Sequence, residues 1–93
     1  MDKKRVLITC PLPGNKFKKF IEEEKFAIRI LNQEERKDIK HIVKEFKPDG
    51  LITLLSDKIP GELINSSNSI KAIANYAVGY NNIDVEACTD RGI

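Results

Sequence analysis

Apolar and polar positions alternate along the chain in two ways. Short, almost continuous apolar runs predict β-strands at residues 6–10, 26–31, 50–55 and around Ile73. Between these runs, apolar side chains recur every three or four residues, which predicts amphipathic helices. The clearest helical stripe is formed by Ile39, Ile42, Val43 and Phe46. Because strand and helix alternate four times, the pattern predicts an α/β domain with an open parallel sheet and helices on both faces.

Capping residues and prolines mark where the predicted helices begin and end. Asn15 is a suitable cap for a first helix. Asn32, followed three residues later by Glu35, resembles a capping box for the second helix, which Pro48 ends. Pro60 can start a short third helix, because its fixed φ suits the first turn.

Residues 71–84 combine a buried strand, a turn and the start of a last helix. Small apolar residues surround Ile73, and Gly79 allows the backbone to come close to whatever lies above the strand end. Either Asn82 or Asp84 can cap the last helix, and Gly92 is its expected end. Ligands of open parallel sheets bind at such carboxyl ends of strands, so this stretch is the main candidate for function.

Composition limits the class of protein. With 93 residues, 41% of them apolar and 32% charged, the chain is expected to form a single soluble domain. A net charge of +2 argues against a nucleic-acid partner. The only apolar residues close to the basic start, 6–8, are too few for a signal peptide, and no run is long enough to span a membrane, so a cytoplasmic location is expected. Cys10 and Cys88 stand far apart, which fits neither a zinc site nor a disulfide framework.

Three single residues invite catalytic interpretations that the surrounding sequence does not favour. His41 lies beside the apolar stripe of a helix and is expected at the surface. Cys10 is expected to be a small buried residue closing the first strand, because Pro11 and Pro13 remove donors that a phosphate-binding loop needs. Asp57 is expected to be a turn residue, since the acidic partners of a phosphoacceptor aspartate are absent after the first strand.

Two strand-end loops remain, residues 55–58 and 76–79. If the third and fourth strands are neighbours, both loops open on the same rim of the sheet. The backbone N–H groups of Val78 and Gly79 can then point together at a small anion, or Gly79 can simply permit a tight turn. The glycines are isolated, and none forms the G-x-G-x-x-G pattern of a dinucleotide site.

The segment NYAVGYNNID at positions 75–84, followed by VEACTDRGI, closely resembles the D-isomer-specific 2-hydroxyacid dehydrogenases, most strongly their glyoxylate/hydroxypyruvate reductase branch. LLSDKI at positions 54–59 is similar to an earlier substrate loop of that family. The resemblance implies a flavodoxin-like substrate-binding domain over residues 1–93, incomplete, with four strands in the order 2-1-3-4. It implies that a fifth strand is missing or just begins at Ile93, and that a separate NAD(P)-binding Rossmann domain is absent.

The resemblance also implies what the chain does. Backbone N–H groups of Val78 and Gly79 are expected to hold a substrate carboxylate, and Leu55, Ser56 and Tyr76 to line the same cleft. No catalytic, cofactor-binding or metal-binding residue is assigned. NAD(H) or NADP(H) would serve the complete enzyme, with none bound by this chain alone.

The partners expected from this interpretation are a small 2-oxo or 2-hydroxy acid, the missing NAD(P)-binding domain and, through the exposed sheet edge, a second copy of the chain. The function expected is the substrate-binding portion of a dehydrogenase that reduces a 2-oxo acid of the glyoxylate or hydroxypyruvate type and is inactive alone. The alternatives are a stand-alone small-anion-binding or regulatory module, and a truncated, non-functional fragment.

Overall fold

Four parallel strands form one sheet. The computed structural model describes residues 3–11, 19, 22, 25–76, 79 and 81–93. The strands are β1 (Lys4–Ile8), β2 (Phe26–Ile30), β3 (Gly50–Thr53) and β4 (Ala72–Asn75), and they lie in the order β2-β1-β3-β4. All three pairings are parallel, as the alternating pattern predicts. The α/β class and the strand order 2-1-3-4 are therefore confirmed.

The second predicted helix begins with the expected reciprocal cap. The Glu35 N–H donates to Asn32 Oδ1 at 2.8 Å, and the Asn32 N–H donates to Glu35 Oε1 at 3.1 Å. This cap leads into a 3-10 helix, Glu35–Asp38, and the α-helix α1 follows over Ile39–Phe46. The helix ends before Pro48, where Lys47 adopts a left-handed conformation with φ of 52°.

Two shorter helices follow β3 and β4. Helix α2 (Gly61–Ile64) begins after Pro60, and helix α3 (Val85–Asp90) is capped by Asp84, whose Oδ1 accepts from the Ala87 N–H at 3.0 Å. Gly92 has φ of 71° and follows the end of α3, as predicted. The helix predicted after Asn15 falls mostly outside the described residues. Lys19 and Glu22, the two residues described between positions 12 and 24, are helical and exposed.

The core lies between the sheet and the helices. Leu7 and Ile8 are successive residues of β1 and both are fully buried, so both faces of this central strand are covered. The predicted stripe on α1 faces the same core, with Ile39, Ile42 and Val43 buried and Phe46 packed against them. Ile93 is not in a strand: its N–H donates to Cys88 O at 2.8 Å, and its side chain packs on the core.

Candidate functional site

The carboxyl ends of β1, β3 and β4 meet at one edge of the sheet. The Thr9 N–H donates to Ile52 O at 3.1 Å, and the Tyr76 N–H donates to Thr53 O at 2.7 Å. The segments that follow β1, β3 and β4 therefore begin next to one another at this edge. This arrangement confirms that the loops after β3 and β4 open on a common rim.

Four of the five residues predicted to line the substrate cleft belong to the described part of the chain. Leu55 and Tyr76 are 48% and 56% exposed, unusually high for large apolar or aromatic side chains. Ser56 is also exposed, and Gly79 has φ of 92°, a backbone conformation that favours glycine. Val78 lies outside the described residues.

Two cavities lie along this rim. Leu55 and Ser56 line an open cleft of about 610 Å³, which residues 81–84 also line. Gly79 lines a neighbouring cavity of about 340 Å³, together with Ile73 and Asn75. The first cleft is within the usual size range for small-molecule sites. Of the predicted residues, Leu55 and Ser56 thus line the first cleft and Gly79 lines the adjoining cavity, whereas Tyr76 lines neither.

Side-chain amides fix the loop after β4. The Thr53 hydroxyl donates to Asn75 Oδ1 at 2.8 Å, which leaves the Asn75 amide group to act as donor. That Nδ2 group donates to Gly79 O at 3.0 Å and to Asn82 Oδ1 at 2.8 Å. Because the Gly79 carbonyl is held in this way, the conformation of the glycine turn is tied to the end of the strand that precedes it.

Asn82 joins this loop to the loop after β3. Its Nδ2 group donates to Leu54 O at 3.0 Å and to Asp57 O at 2.8 Å. Its own backbone carbonyl accepts from the Ile59 N–H at 2.8 Å. The sequence offered Asn82 as a possible helix cap, but Asp84 caps α3 and Asn82 instead bridges the two loops.

Asp57 lies below the β3 loop and is only 5% exposed. Its Oδ2 accepts from the Thr9 hydroxyl at 2.5 Å and from the Leu54 N–H at 2.8 Å. Its Oδ1 accepts from Arg36 Nε at 3.3 Å and from a terminal Arg36 nitrogen at 2.8 Å. A single carboxylate therefore ties together the end of β1, the loop after β3 and the 3-10 helix.

The environment of Asp57 favours its ionised form. Burial alone raises the pKa of this carboxyl, but the hydrogen bonds from Thr9, Leu54 and Arg36, with the positive charge of Arg36, hold its pKa below the usual range. The same hydrogen bond raises the pKa of the Arg36 guanidinium. Asp57 and Arg36 thus form a fixed ion pair rather than a group poised to exchange a proton.

These contacts correct two predictions. Asp57 occupies a turn, as expected, but it is a buried centre of hydrogen bonds rather than an ordinary turn residue. Cys10 was expected to be buried at the end of the first strand, whereas β1 ends at Ile8 and Cys10 is half-buried. After Ile8, the Thr9 N–H still donates to Ile52 O and the Thr9 hydroxyl donates to Asp57, and Cys10 lies beyond these contacts. Sequence reasoning missed Arg36, for which no local pattern provided a signal.

The remaining candidates are structural. His41 is exposed on α1, where its Nε2 lies 3.1 Å from Glu45 Oε1, so its predicted surface position is confirmed. Cys88 packs in the core, and burial raises the pKa of its thiol. Among the described residues, no group of three or more histidine, cysteine or acidic side chains is arranged to hold a metal ion. The described helices include none long and apolar enough to cross a membrane.

Comparison with known proteins identifies the family. A sequence model described as the catalytic domain of the D-isomer specific 2-hydroxyacid dehydrogenases matches residues 6–93. The chain belongs to this family. A glyoxylate reductase of Pyrococcus furiosus is 37% identical over 92 residues, which cover 98% of this chain and 27% of that enzyme.

Solved structures also resemble this chain. An NAD⁺-bound 3-phosphoglycerate dehydrogenase of Entamoeba histolytica matches with a TM-score of 0.76 and 27% identity, over 98% of this chain and 31% of that one. The crystal structure of a Thermus thermophilus protein matches with a TM-score of 0.79 and 29% identity, over 96% of this chain and 28% of that one. The chain thus spans little more than a quarter of the length of the curated relatives it matches.

A nicotinamide dinucleotide, which this family implies, does not fit the described glycines. Its phosphates need closely spaced glycines where a strand turns into a helix. Gly50 lies inside β3, and Gly61 packs against Asp84, whose Oδ2 would be 3.0 Å from an added Cβ. Gly92 follows a helix, and Gly79 follows β4 without a second glycine nearby in sequence. None of these four described glycines therefore provides the closely spaced pattern that a dinucleotide needs.

Proposed function

We propose that this chain is the substrate-binding portion of a 2-hydroxyacid dehydrogenase that reduces a small 2-oxo acid of the glyoxylate or hydroxypyruvate type. The observation that carries the proposal is the joining of the two strand-end loops by Asn75 and Asn82. The similarity to the Pyrococcus furiosus glyoxylate reductase supports the choice of substrate class. In this proposal the reduction uses NAD(H) or NADP(H) bound by a separate domain.

The role proposed for this chain is to bind and orient the acid. The backbone N–H groups of Val78 and Gly79 hold the substrate carboxylate, and Leu55, Ser56 and Tyr76 border the same site. Hydrogen bonds to an ionised oxygen are about twice as strong as neutral ones, so two backbone donors suffice to orient a molecule this small. Fixing the acid in this way lowers the entropy cost of the later reaction. The positive φ of Gly79 and the hydrogen bond on its carbonyl support a preformed turn.

An amide NMR titration tests the binding role. The isotope-labelled 93-residue chain is titrated with oxalate, a dicarboxylate that resembles a 2-oxo acid but cannot be reduced. We expect saturable chemical-shift changes concentrated at residues 54–57 and 76–79. Butyrate, which has one carboxylate and no neighbouring oxygen, serves as the comparison ligand and is expected to bind more weakly. Shift changes confined to the helices, or none at millimolar oxalate, would contradict the proposed site.

A turnover assay tests the division of labour. The 93-residue chain is mixed with glyoxylate and either NADH or NADPH, and oxidation of the dinucleotide is followed by absorbance. We expect the rate of dinucleotide oxidation not to exceed that of the blank, because the described residues do not form a dinucleotide-binding site. Any oxidation that depends on this chain would overturn the proposal that a separate domain is needed.

A further inference from the structure

Arg36 contacts two adjacent residues of the β3 loop at once. One terminal nitrogen of its guanidinium donates to Asp57 Oδ1 at 2.8 Å and to Ser56 Oγ at 3.1 Å. The Nε–H group also donates to Asp57 Oδ1, at 3.3 Å. A planar guanidinium held at two of its nitrogens has a fixed direction, so the N–H group that reaches Ser56 is held in place.

Asp57 keeps this arginine in position. The carboxylate is buried, and the Thr9 hydroxyl and the Leu54 N–H hold its other oxygen. The Arg36 side chain itself is 25% exposed and packs over the loop from the side of the 3-10 helix. Ordering a long side chain at the surface costs conformational entropy. Here the hydrogen bonds to the buried Asp57 carboxylate offset that cost.

The direction of the contact determines what the Ser56 hydroxyl can do. Arginine has N–H donors and no acceptor, so Ser56 Oγ must accept the hydrogen bond and its own proton must point elsewhere. Within residues 25–76 and 81–93, that proton has no protein acceptor. Ser56 lines the 610 Å³ cleft, which Arg36 does not line, and it also lines two smaller cavities of about 300 and 380 Å³ that it shares with Arg36. Among the described residues, no acceptor competes with a ligand in the cleft for this hydroxyl proton.

We propose that Arg36 is a positioning residue that turns the Ser56 hydroxyl into a hydrogen-bond donor for an oxygen of the bound 2-oxo acid. This inference rests on the proposed function, since it assumes that the acid binds at the loop containing Ser56. It adds a side-chain hydrogen bond from Ser56 to the backbone N–H donors already proposed to bind the acid. At Ser56 the site donates its hydroxyl proton to a carboxylate or carbonyl oxygen of the ligand.

The test is a double-mutant cycle on oxalate binding. Dissociation constants are measured by NMR titration for the wild-type chain, Ser56→Ala, Arg36→Lys and the double variant. Arg36→Lys keeps a cation beside the buried Asp57 but has no fork to reach both residues. We expect each single substitution to weaken binding about tenfold, as expected for one hydrogen bond to a charged group. Lys44→Met, which removes an exposed cation from α1, is the control and is expected to bind as wild type.

Coupling between the two positions decides the result. If Arg36 acts only through Ser56, the double variant binds oxalate no more weakly than Ser56→Ala alone. Additive losses would show that Arg36 acts independently and would overturn the inference, as would unchanged binding by Ser56→Ala. In both cases oxalate binding by the wild type would leave the proposed function standing. If the wild type does not bind oxalate at the rim, the proposed function fails and this inference fails with it.

A second measurement does not depend on any variant that must fold. Scalar couplings of the Ser56 β-protons in the wild-type chain report whether χ1 occupies one rotamer or several. We expect a single rotamer without ligand, because the guanidinium fixes the oxygen. Couplings averaged over the three staggered positions would overturn the inference, since exposed serine side chains otherwise exchange freely.

Discussion

Gly79 combines a φ of 92° with open space around it. A Cβ added at this position would meet no atom within 4 Å, so the cost of a side chain comes from the backbone alone. We expect Gly79→Ala to lower the free energy of unfolding by about 1–2 kcal/mol, the penalty for forcing an L-residue into a left-handed conformation. Urea unfolding followed by circular dichroism measures the change.

Gly50→Ala is the matched control for this prediction. Gly50 lies within β3 at a negative φ, and an added Cβ would be 3.8 Å from Ala72 O, an ordinary van der Waals distance. Replacing glycine by alanine at a compatible site stabilises a protein by about 0.4–1 kcal/mol, because the unfolded chain loses freedom. Equal losses in the two variants would show that positive φ is not the determining factor at Gly79.

Asp57 predicts a specific dependence of stability on pH. Burial raises the pKa of its carboxyl, but the hydrogen bonds from Thr9, Leu54 and Arg36 lower it further, so its pKa in the folded chain is below the usual value. The ionised form therefore stabilises the fold fully at pH values above the unfolded pKa of about 3.9. That contribution is lost as the pH falls from about 4 through the lower folded pKa.

Asp57→Asn tests this pH dependence. We expect it to lower the free energy of unfolding at pH 7 by about 3 kcal/mol, the low end for breaking a buried ion pair, because Arg36 is partly exposed. The difference from wild type should shrink as the pH falls from about 4 through the lowered folded pKa of Asp57, because its carboxyl becomes protonated and both chains are then neutral at this position. Glu86→Gln, on the exposed side of α3, serves as the control. A difference that stays constant from pH 7 to pH 2 would contradict the assigned role of the Asp57 charge.

Among the elements, helix α1 depends on a cap set back from its first α-helical turn. Asn32 and Glu35 exchange hydrogen bonds ahead of the 3-10 helix, and a second cap, Asp38, accepts from the His41 N–H at 3.4 Å. We expect Asn32→Ala to cost about 1 kcal/mol of unfolding free energy, the usual value for losing a helix cap. Lys44→Ala on the exposed side of α1 is the comparison, expected to change stability by less than about 0.5 kcal/mol. Equal effects would contradict the role of Asn32.

The elements were predictable because their signals are local. The Asn32–Glu35 cap, the stop at Pro48 and the turn at Gly79 each depend on a few consecutive residues, and strand order followed from the family resemblance. The contacts of Asp57 could not be predicted in the same way. Thr9 and Arg36 lie 48 and 21 residues away from it in sequence and meet it only after the strands have taken their order.

The candidate site was predictable from the sequence only in part. Leu55, Ser56, Tyr76 and Gly79 were found through strand ends and resemblance, and their roles remain predictions. The polar residues that hold those loops were missed because the same residue types have other, more common roles in protein sequences. An asparagine such as Asn82 before a helix has the sequence signature of a cap, and only the geometry shows that its side chain reaches Leu54 and Asp57.

At the scale of the whole molecule, β4 is one of the two edge strands of the described sheet. In the described sheet it pairs with β3 on one side only. Ala72 and Ala74 are exposed, and Ile73 is half-buried beside an open cavity. Unpaired strand edges with small apolar side chains are templates for pairing with another chain. We expect the 93-residue chain to self-associate reversibly at high micromolar concentration, as measured by sedimentation velocity.

Ala74→Lys is the test of that surface. Lysine is a residue that natural proteins use to protect sheet edges, so this variant is expected to sediment as a monomer at concentrations where the wild type associates. Lys44→Glu, an exchange of charge on α1, controls for general electrostatic effects. A wild-type chain that stays monomeric throughout the range would contradict the assignment of β4 as an associating edge.

The central position of β1 also delays its complete pairing during synthesis of the chain. Its neighbours are β2 and β3, so residues near the start of the chain wait for residues 50–53 before both of their sides are paired. At elongation rates of about 5–20 residues per second, this wait lasts on the order of 2–9 seconds on the ribosome. During that interval the apolar side chains of Leu7 and Ile8, fully buried in the folded chain, have no completed sheet to enter. We therefore expect chaperones to bind and shield the nascent chain until β3 has emerged from the ribosome.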